Sequence, residues 1–186
     1  MTNQKDFLAH LAALLDSSEI PYMISGSLGS SLHGQPRATN DADIVVDPTR
    51  EQLLNFITSL GEGYYVSRDA ASQALKDRSM FNIIDIEAGW KADIIIRKER
   101  AFSLKEFERR KKTNLMGIAL WVVSPEDSIL SKLEWSKGRH SETQYNDALY
   151  VLRVQRDTLD VDYLKAWAKK LNIEKELEQL LEAAGQ

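Results

Sequence analysis

The chain has 186 residues, 43% hydrophobic and 28% charged, with a net charge of −4 and no cysteine. That length supports one full domain, or one domain with a compact second lobe. The composition excludes disulfide and thiolate chemistry and argues against a chain built mainly to hold a nucleic-acid backbone, which needs a basic field. No apolar run approaches the ~20 residues needed to span a bilayer, and residues 1–6 lack an apolar signal core, so a soluble, cytoplasmic protein without membrane partners is expected.

Phe7, Leu8, Leu11, Leu14 and Leu15 fall at helical spacing, which predicts an amphipathic helix ended by Ser17 and Ser18. Residues 22–24 read as a short strand leading into a turn at Gly26-Ser27. Gly34-Gln35-Pro36 break the chain before a strand over 41–46. Asp47 then has the chemistry of an N-cap and Pro48 that of a first helical residue, predicting a helix to about residue 60.

Residues 81–86 and 91–96 read as strands joined by a tight turn at 87–90. A charged helical stretch over 104–111 precedes a further strand over 118–123. From Ser124 onward glycine and β-branched residues thin out. Ser124-Pro125-Glu126-Asp127 is spaced like a capped helix start, and about four helices are expected to follow. The expected fold is α/β, a mixed sheet with helices over residues 1–123, followed by a helical lobe over 124–186 packed on it.

Chemistry concentrates in Gly26-Ser27 and in Arg37-Ala38-Thr39-Asn40-Asp41-Ala42-Asp43. On a strand, Asp41 and Asp43 point the same way, roughly 6.6 Å apart. Two aligned carboxylates on a rigid element suit divalent cations, and a glycine-serine turn offers N–H groups and a hydroxyl to phosphate. Arg37, just before the acidic strand, suits a phosphate or the orientation of a carboxylate.

Two cations clamping a phosphoryl transfer need a third carboxylate. Asp93, in a strand otherwise made of Ala92, Ile94, Ile95 and Ile96, is one candidate; Asp85, between Ile84 and Ile86, is the other. Position alone does not separate them, since an unpaired charge is costly in either strand. Asp127 is read as the capping-box partner of Ser124. Lys132 lies between Ile129 and Trp135 at three-residue spacing, its stem along an apolar face and its ammonium reaching outward. His10, His33 and His140 show no metal-ligand pattern, the four tryptophans read as packing residues, and Arg109-Arg110-Lys111-Lys112 as a solvated helix end.

The run Gly26-Ser27-x-Gly29-x-x-x-His33-Gly34-x-x-Arg37-x-Thr39-x-Asp41-x-Asp43 resembles the signature of the nucleotidyltransferase, or DNA polymerase β-like, superfamily. Trp90-Lys91-Ala92-Asp93 resembles that family's strand with the third catalytic carboxylate, which favours Asp93 over Asp85. Ser124 to Leu133, then Ser141-Glu142-x-Gln144-x-x-Asp147, Leu159-Asp160, Tyr163-Leu164 and Trp167-Ala168 resemble one branch, small bacterial nucleotidyltransferases akin to the abortive-infection type. The resemblance implies that Asp41, Asp43 and Asp93 are catalytic and hold the metals, Mg²⁺ with Mn²⁺ as a substitute. It further implies that Gly26, Ser27, Arg37, Thr39 and Lys132 meet the nucleotide.

The expected activity is transfer of a nucleoside monophosphate from a nucleoside triphosphate to a hydroxyl acceptor, with release of pyrophosphate. The acceptor (RNA, protein or small molecule), the base and the oligomeric state stay open. The competing expectation is a non-catalytic or toxin–antitoxin partner protein on the same fold, since fold does not fix function. Metal-dependent nucleotide binding separates the two.

Overall fold

The structure is a computed structural model that describes residues 3–139 and 141–185; His140 lies outside the described residues. In chain order its elements are α1 (Gln4–Ser17), β1 (Tyr22–Ile24), α2 (Gly26–His33), β2 (Asp41–Val46), α3 (Arg50–Ser59), β3 (Tyr64–Val66), α4 (Arg68–Asp77), β4 (Met80–Asp85), β5 (Lys91–Ile96), α5 (Ala101–Glu108), β6 (Lys111–Leu115) and β7 (Ile118–Val122). Helices α6 (Pro125–Arg139), α7 (Glu142–Gln155), α8 (Val161–Leu171) and α9 (Glu174–Ala183) complete it. The chain forms two compact units. One comprises the described residues up to Ser25 with Thr39–Val122, the other Gly26–Ala38 with the described residues from Val123 on.

The first unit is built on a mixed sheet ordered β3-β4-β5-β2-β1-β7-β6. The pairs β2–β5 and β1–β7 run parallel and the others antiparallel. Tyr22, Met23 and Ile24 are all buried, as befits a central strand covered on both faces. Strands β2, β4 and β5 alternate instead, so that Ala42, Ile44, Val46, Phe81, Ile83, Ala92, Ile94 and Ile96 bury one face. Phe7, Leu8, Leu11 and Leu15 of α1 join this core, on the face that the sequence periodicity marks.

Three local readings change. The helix after β2 is capped by Thr49, not Asp47: Thr49 and Gln52 form a reciprocal capping box. Asp47 instead pairs with Arg97 at 2.7 Å and Arg78 at 3.6 Å. The charged stretch over 104–111 divides, helix α5 stopping at Glu108 and strand β6 starting at Lys111. Arg110 then lies over the Phe107 and Trp121 rings, while Lys111 and Lys112 stand exposed on an edge strand, where charge discourages pairing with another chain. Residues 62–78, silent in the sequence, supply β3 and α4.

The second unit is helical. Leu28 of α2, Ile129, Leu130 and Leu133 of α6, Ala148, Val151 and Leu152 of α7, Leu164 and Ala168 of α8, and Leu177 and Leu180 of α9 form its core. Gly34, just past α2, marks a close approach: a Cβ there would lie 2.7 Å from the backbone nitrogen of Val151. The Ser124 cap is present, its hydroxyl accepting the Asp127 N–H at 3.2 Å. The Asp127 carboxylate also accepts from the hydroxyls of Ser124 and Tyr163, at 2.7 and 2.6 Å, which ties α6 to α8. Among the described residues no helix is long and apolar enough to cross a membrane.

Candidate functional site

The parallel pairing of β2 and β5 sets Asp43 opposite Asp93 and Asp41 opposite Lys91. Paired residues point to the same side of a sheet, as do residues two apart on one strand. Asp41, Asp43, Lys91 and Asp93 therefore share one face, opposite the buried alanine, valine and isoleucine side chains. Asp41 is exposed, and Asp43 and Asp93 are half-buried.

Asp85 lies on the other face. It is buried, and its carboxylate accepts the N–H groups of Glu87 and Ala88 at 3.0 and 2.8 Å. That is the local turn chemistry of an aspartate closing a hairpin. The alternation that separates the two carboxylates is not visible until β4 and β5 are paired, with Asn82 opposite Asp93 and Ile84 opposite Lys91.

Asp93 is held from both sides. Asn82 Nδ2 donates to its Oδ1, and the Lys91 ammonium lies 2.8 Å from the same oxygen. That bond to Asp93 lifts the Lys91 pKa above the ordinary lysine range against the opposing effect of desolvation, and the charges of Asp93, Asp41 and Asp43 add to the lift. Thr39 braces the start of β2: its hydroxyl donates to the Asp41 carbonyl at 3.2 Å, and its own carbonyl accepts from Gln4 at 2.7 Å. The Ser25 N–H donates to the Asp43 carbonyl at 2.9 Å.

Among the described residues no three His, Asp or Glu side chains form a ready-made metal cage. Mg²⁺ does not require one, because it commonly takes one or two carboxylates together with phosphate oxygens and waters. The oxygen donors of Asp43 and Asp93 fit that ion, and the Lys91 ammonium against Asp93 marks this face as one that draws positive charge.

The remaining candidates lie in the second unit. Gly26 opens α2 with φ +55°, a left-handed conformation that suits glycine. Arg37 Nη2 donates to Ser27 Oγ, leaving the serine O–H able to donate in turn. Arg37 also grips Asp147 through Nε and Nη2, at 3.1 and 3.3 Å. Lys132 does not reach outward as its spacing suggests: its side chain is 6% exposed and its Nζ lies 2.8 Å from Asp147 Oδ2. Ser30 completes the set, its hydroxyl 3.5 Å from Asp147.

Burial pushes the Asp147 carboxyl up, but the hydrogen bonds and charges of Lys132 and Arg37 outweigh it and hold the group below the usual carboxylate range. Asp147 is the residue that sequence reasoning left without a role. The available signal was Lys132 itself, since an ammonium on an apolar helix face needs a counter-charge. His33 Nε2 donates to the Val123 carbonyl, 2.7 Å away.

No family model matches the sequence, and no curated protein matches it significantly. Solved structures do. A nucleotidyltransferase-like antigen from Paracoccidioides brasiliensis superposes with a TM-score of 0.59 at 15% identity, over 96% of this chain and 92% of its own. The antibiotic-resistance factor ANT(2'')-Ia, in its solution structure, gives 0.59 at 13% identity, over 98% of this chain and 96% of its own. The lincosamide adenylyltransferase LnuA, with lincomycin bound, gives 0.52 at 17% identity, over 81% of this chain and 96% of its own. The chain has the nucleotidyltransferase fold.

Proposed function

We propose that the protein is a metal-dependent nucleotidyltransferase. In the proposed reaction an acceptor hydroxyl oxygen bonds to the α-phosphorus of a nucleoside triphosphate, the bond from that phosphorus to the α–β bridging oxygen breaks, pyrophosphate leaves, and the hydroxyl proton passes to solvent. Asp41, Asp43 and Asp93 would hold Mg²⁺. When bound, the ion neutralises the negative charge that gathers on the phosphate and makes the acceptor hydroxyl easier to deprotonate.

What the chain's own residues do is position and orient. The β2–β5 ladder fixes Asp43 against Asp93, Asn82 aims the Asp93 carboxylate, and Thr39 sets the entry to Asp41. Preorganised charge is most of what such a transfer asks of a protein. Contacts of Gly26, Ser27, Arg37, Thr39 and Lys132 with the nucleotide are a separate proposal. Lys132 and Arg37 would act partly through Asp147, which they already hold.

The observation that carries the reading is the register Asp43 opposite Asp93, with Asp41 on the same face of a nucleotidyltransferase-like sheet. Calorimetry of triphosphate binding with Mg²⁺ and with excess chelator tests it. Binding that needs the metal supports it; equally tight binding in chelator rejects it. The acceptor follows from incubating the protein with each labelled triphosphate, Mg²⁺ and cell extract, then finding what becomes labelled.

A further inference from the structure

We infer that Lys91 is the resident counter-ion of the acidic face, and that a divalent cation binds there by displacing its ammonium from Asp93. The inference rests on the nucleotidyltransferase reading above and adds to it a residue that sets metal affinity.

The register places Lys91 directly across from Asp41 and two residues before Asp93 on the same strand, so its side chain leaves the sheet on the face of the three carboxylates. Its Nζ lies 2.8 Å from Asp93 Oδ1. Asn82 donates to that same oxygen, so two donors already occupy it. A carboxylate oxygen has two lone-pair sites, which leaves Oδ1 little to offer a metal while both donors stay.

Mobility is unequal between the partners. The Asp93 side chain is 15% exposed and sits on a central strand, whereas the Lys91 side chain is 36% exposed and ends on a flexible four-carbon stem. When a cation arrives, the ammonium is therefore the group that withdraws into solvent. Until then it relieves the repulsion among Asp41, Asp43 and Asp93. A dication and an ammonium on one face repel each other, so the lysine lowers metal affinity in the absence of nucleotide. Triphosphate brings compensating negative charge, and metal and nucleotide should then load together.

The alternative is an ordinary half-exposed ion pair with no bearing on metals. Mn²⁺ binding to the full chain without nucleotide separates the two, read by calorimetry and by the paramagnetic signal of free Mn²⁺. Lys91→Met should bind Mn²⁺ about tenfold tighter than wild type, a change of ~1.4 kcal/mol. Lys91→Gln should follow it, Lys91→Arg should stay near wild type, and Asp43→Asn should lose Mn²⁺.

Unchanged or weaker Mn²⁺ binding in both Lys91→Met and Lys91→Gln, with Asp43→Asn still abolishing it, overturns the inference and leaves the metal site standing. Absence of Mn²⁺ binding in wild type and in both lysine variants, with triphosphate as well as without, overturns the site reading and the inference together.

Discussion

Asp147→Asn should be the most destabilising single-charge change in the second unit. The carboxylate is 8% exposed and holds the Lys132 ammonium, itself 6% exposed, at 2.8 Å. It also holds Arg37 at 3.1 Å, but that side chain is 37% exposed. Removing one partner of a buried pair strands the other charge, which costs about 3–5 kcal/mol, whereas a largely solvated partner is worth about 0.2–1 kcal/mol. Asp147→Asn should therefore lose about 3–5 kcal/mol, mostly through Lys132. Lys132→Met should lose about 2 kcal/mol, because Asp147 keeps Arg37 and Ser30. Arg37→Met should lose under ~1 kcal/mol.

Urea unfolding measures these differences, and in a chain of this size they correspond to a fall in Tm of roughly 6–20 °C for Asp147→Asn. The double variant Lys132→Met with Asp147→Leu should lose much less than the sum of its singles, since it leaves no buried charge unpaired. The sign with pH is fixed by the same contacts. A carboxyl held below its ordinary value contributes stability that is fully present above pH ~3.9 and is lost as the pH falls through the folded value. Asp147→Asn should flatten that acid limb. A loss under ~1 kcal/mol, or singles that add in the double variant, would refute the reasoning.

Asp43→Asn should abolish metal-dependent triphosphate binding while Tm holds or rises, because it relieves repulsion on the acidic face; calorimetry beside thermal melting checks both. Asp85→Ala should do the reverse, costing about 1–2 kcal/mol through the lost acceptor for Glu87 and Ala88 and leaving nucleotide binding intact. Gly34→Ala should cost at least ~1–3 kcal/mol, since its Cβ meets the Val151 backbone and not a side chain that can turn away; a melting curve within 2 °C of wild type would contradict this.

The acidic strand was legible because its pattern is local. Asp-Ala-Asp-Ile-Val-Val has a period of two, and so does Lys-Ala-Asp-Ile-Ile-Ile, so both strands and their faces can be read from the string. What decides between Asp85 and Asp93 is not local. Both have isoleucine neighbours, and only the pairing of β4 with β5, and of β5 with β2, shows that Asp85 closes a turn on the far face while Asp93 faces Asp43. The cap misreading at Asp47 has the same origin. Asp-Pro is a good local start, but Asp47 is claimed by Arg97 and Arg78 from elsewhere in the chain, and Thr49 with Gln52 takes the cap. Lys132 followed suit: helical spacing gave the apolar setting of its stem but not the carboxylate waiting on the next helix.

The signature residues also mark where the chain passes between its two units. It leaves the first after Ser25 and returns at Thr39, with Gly26, Ser27 and Arg37 in between. Each end of that excursion is tied within the first unit to a residue beside or at the acidic pair: Ser25 N–H to the Asp43 carbonyl, Thr39 to the backbone of Asp41. Within the second unit, Arg37 is tied to Ser27 and Asp147. A glycine, a serine, an arginine and two aspartates spaced along one short stretch thus owe their spacing to two separate demands. The carboxylates must fall at alternate positions of a strand whose reverse face is core. Ser27 must fall at a helix start where it can take a hydrogen bond from Arg37, and Arg37 on a returning loop that also reaches one buried carboxylate. Sequence displays the first demand as a period, and the second only as a set of residue types, because its partner Asp147 lies more than a hundred residues downstream.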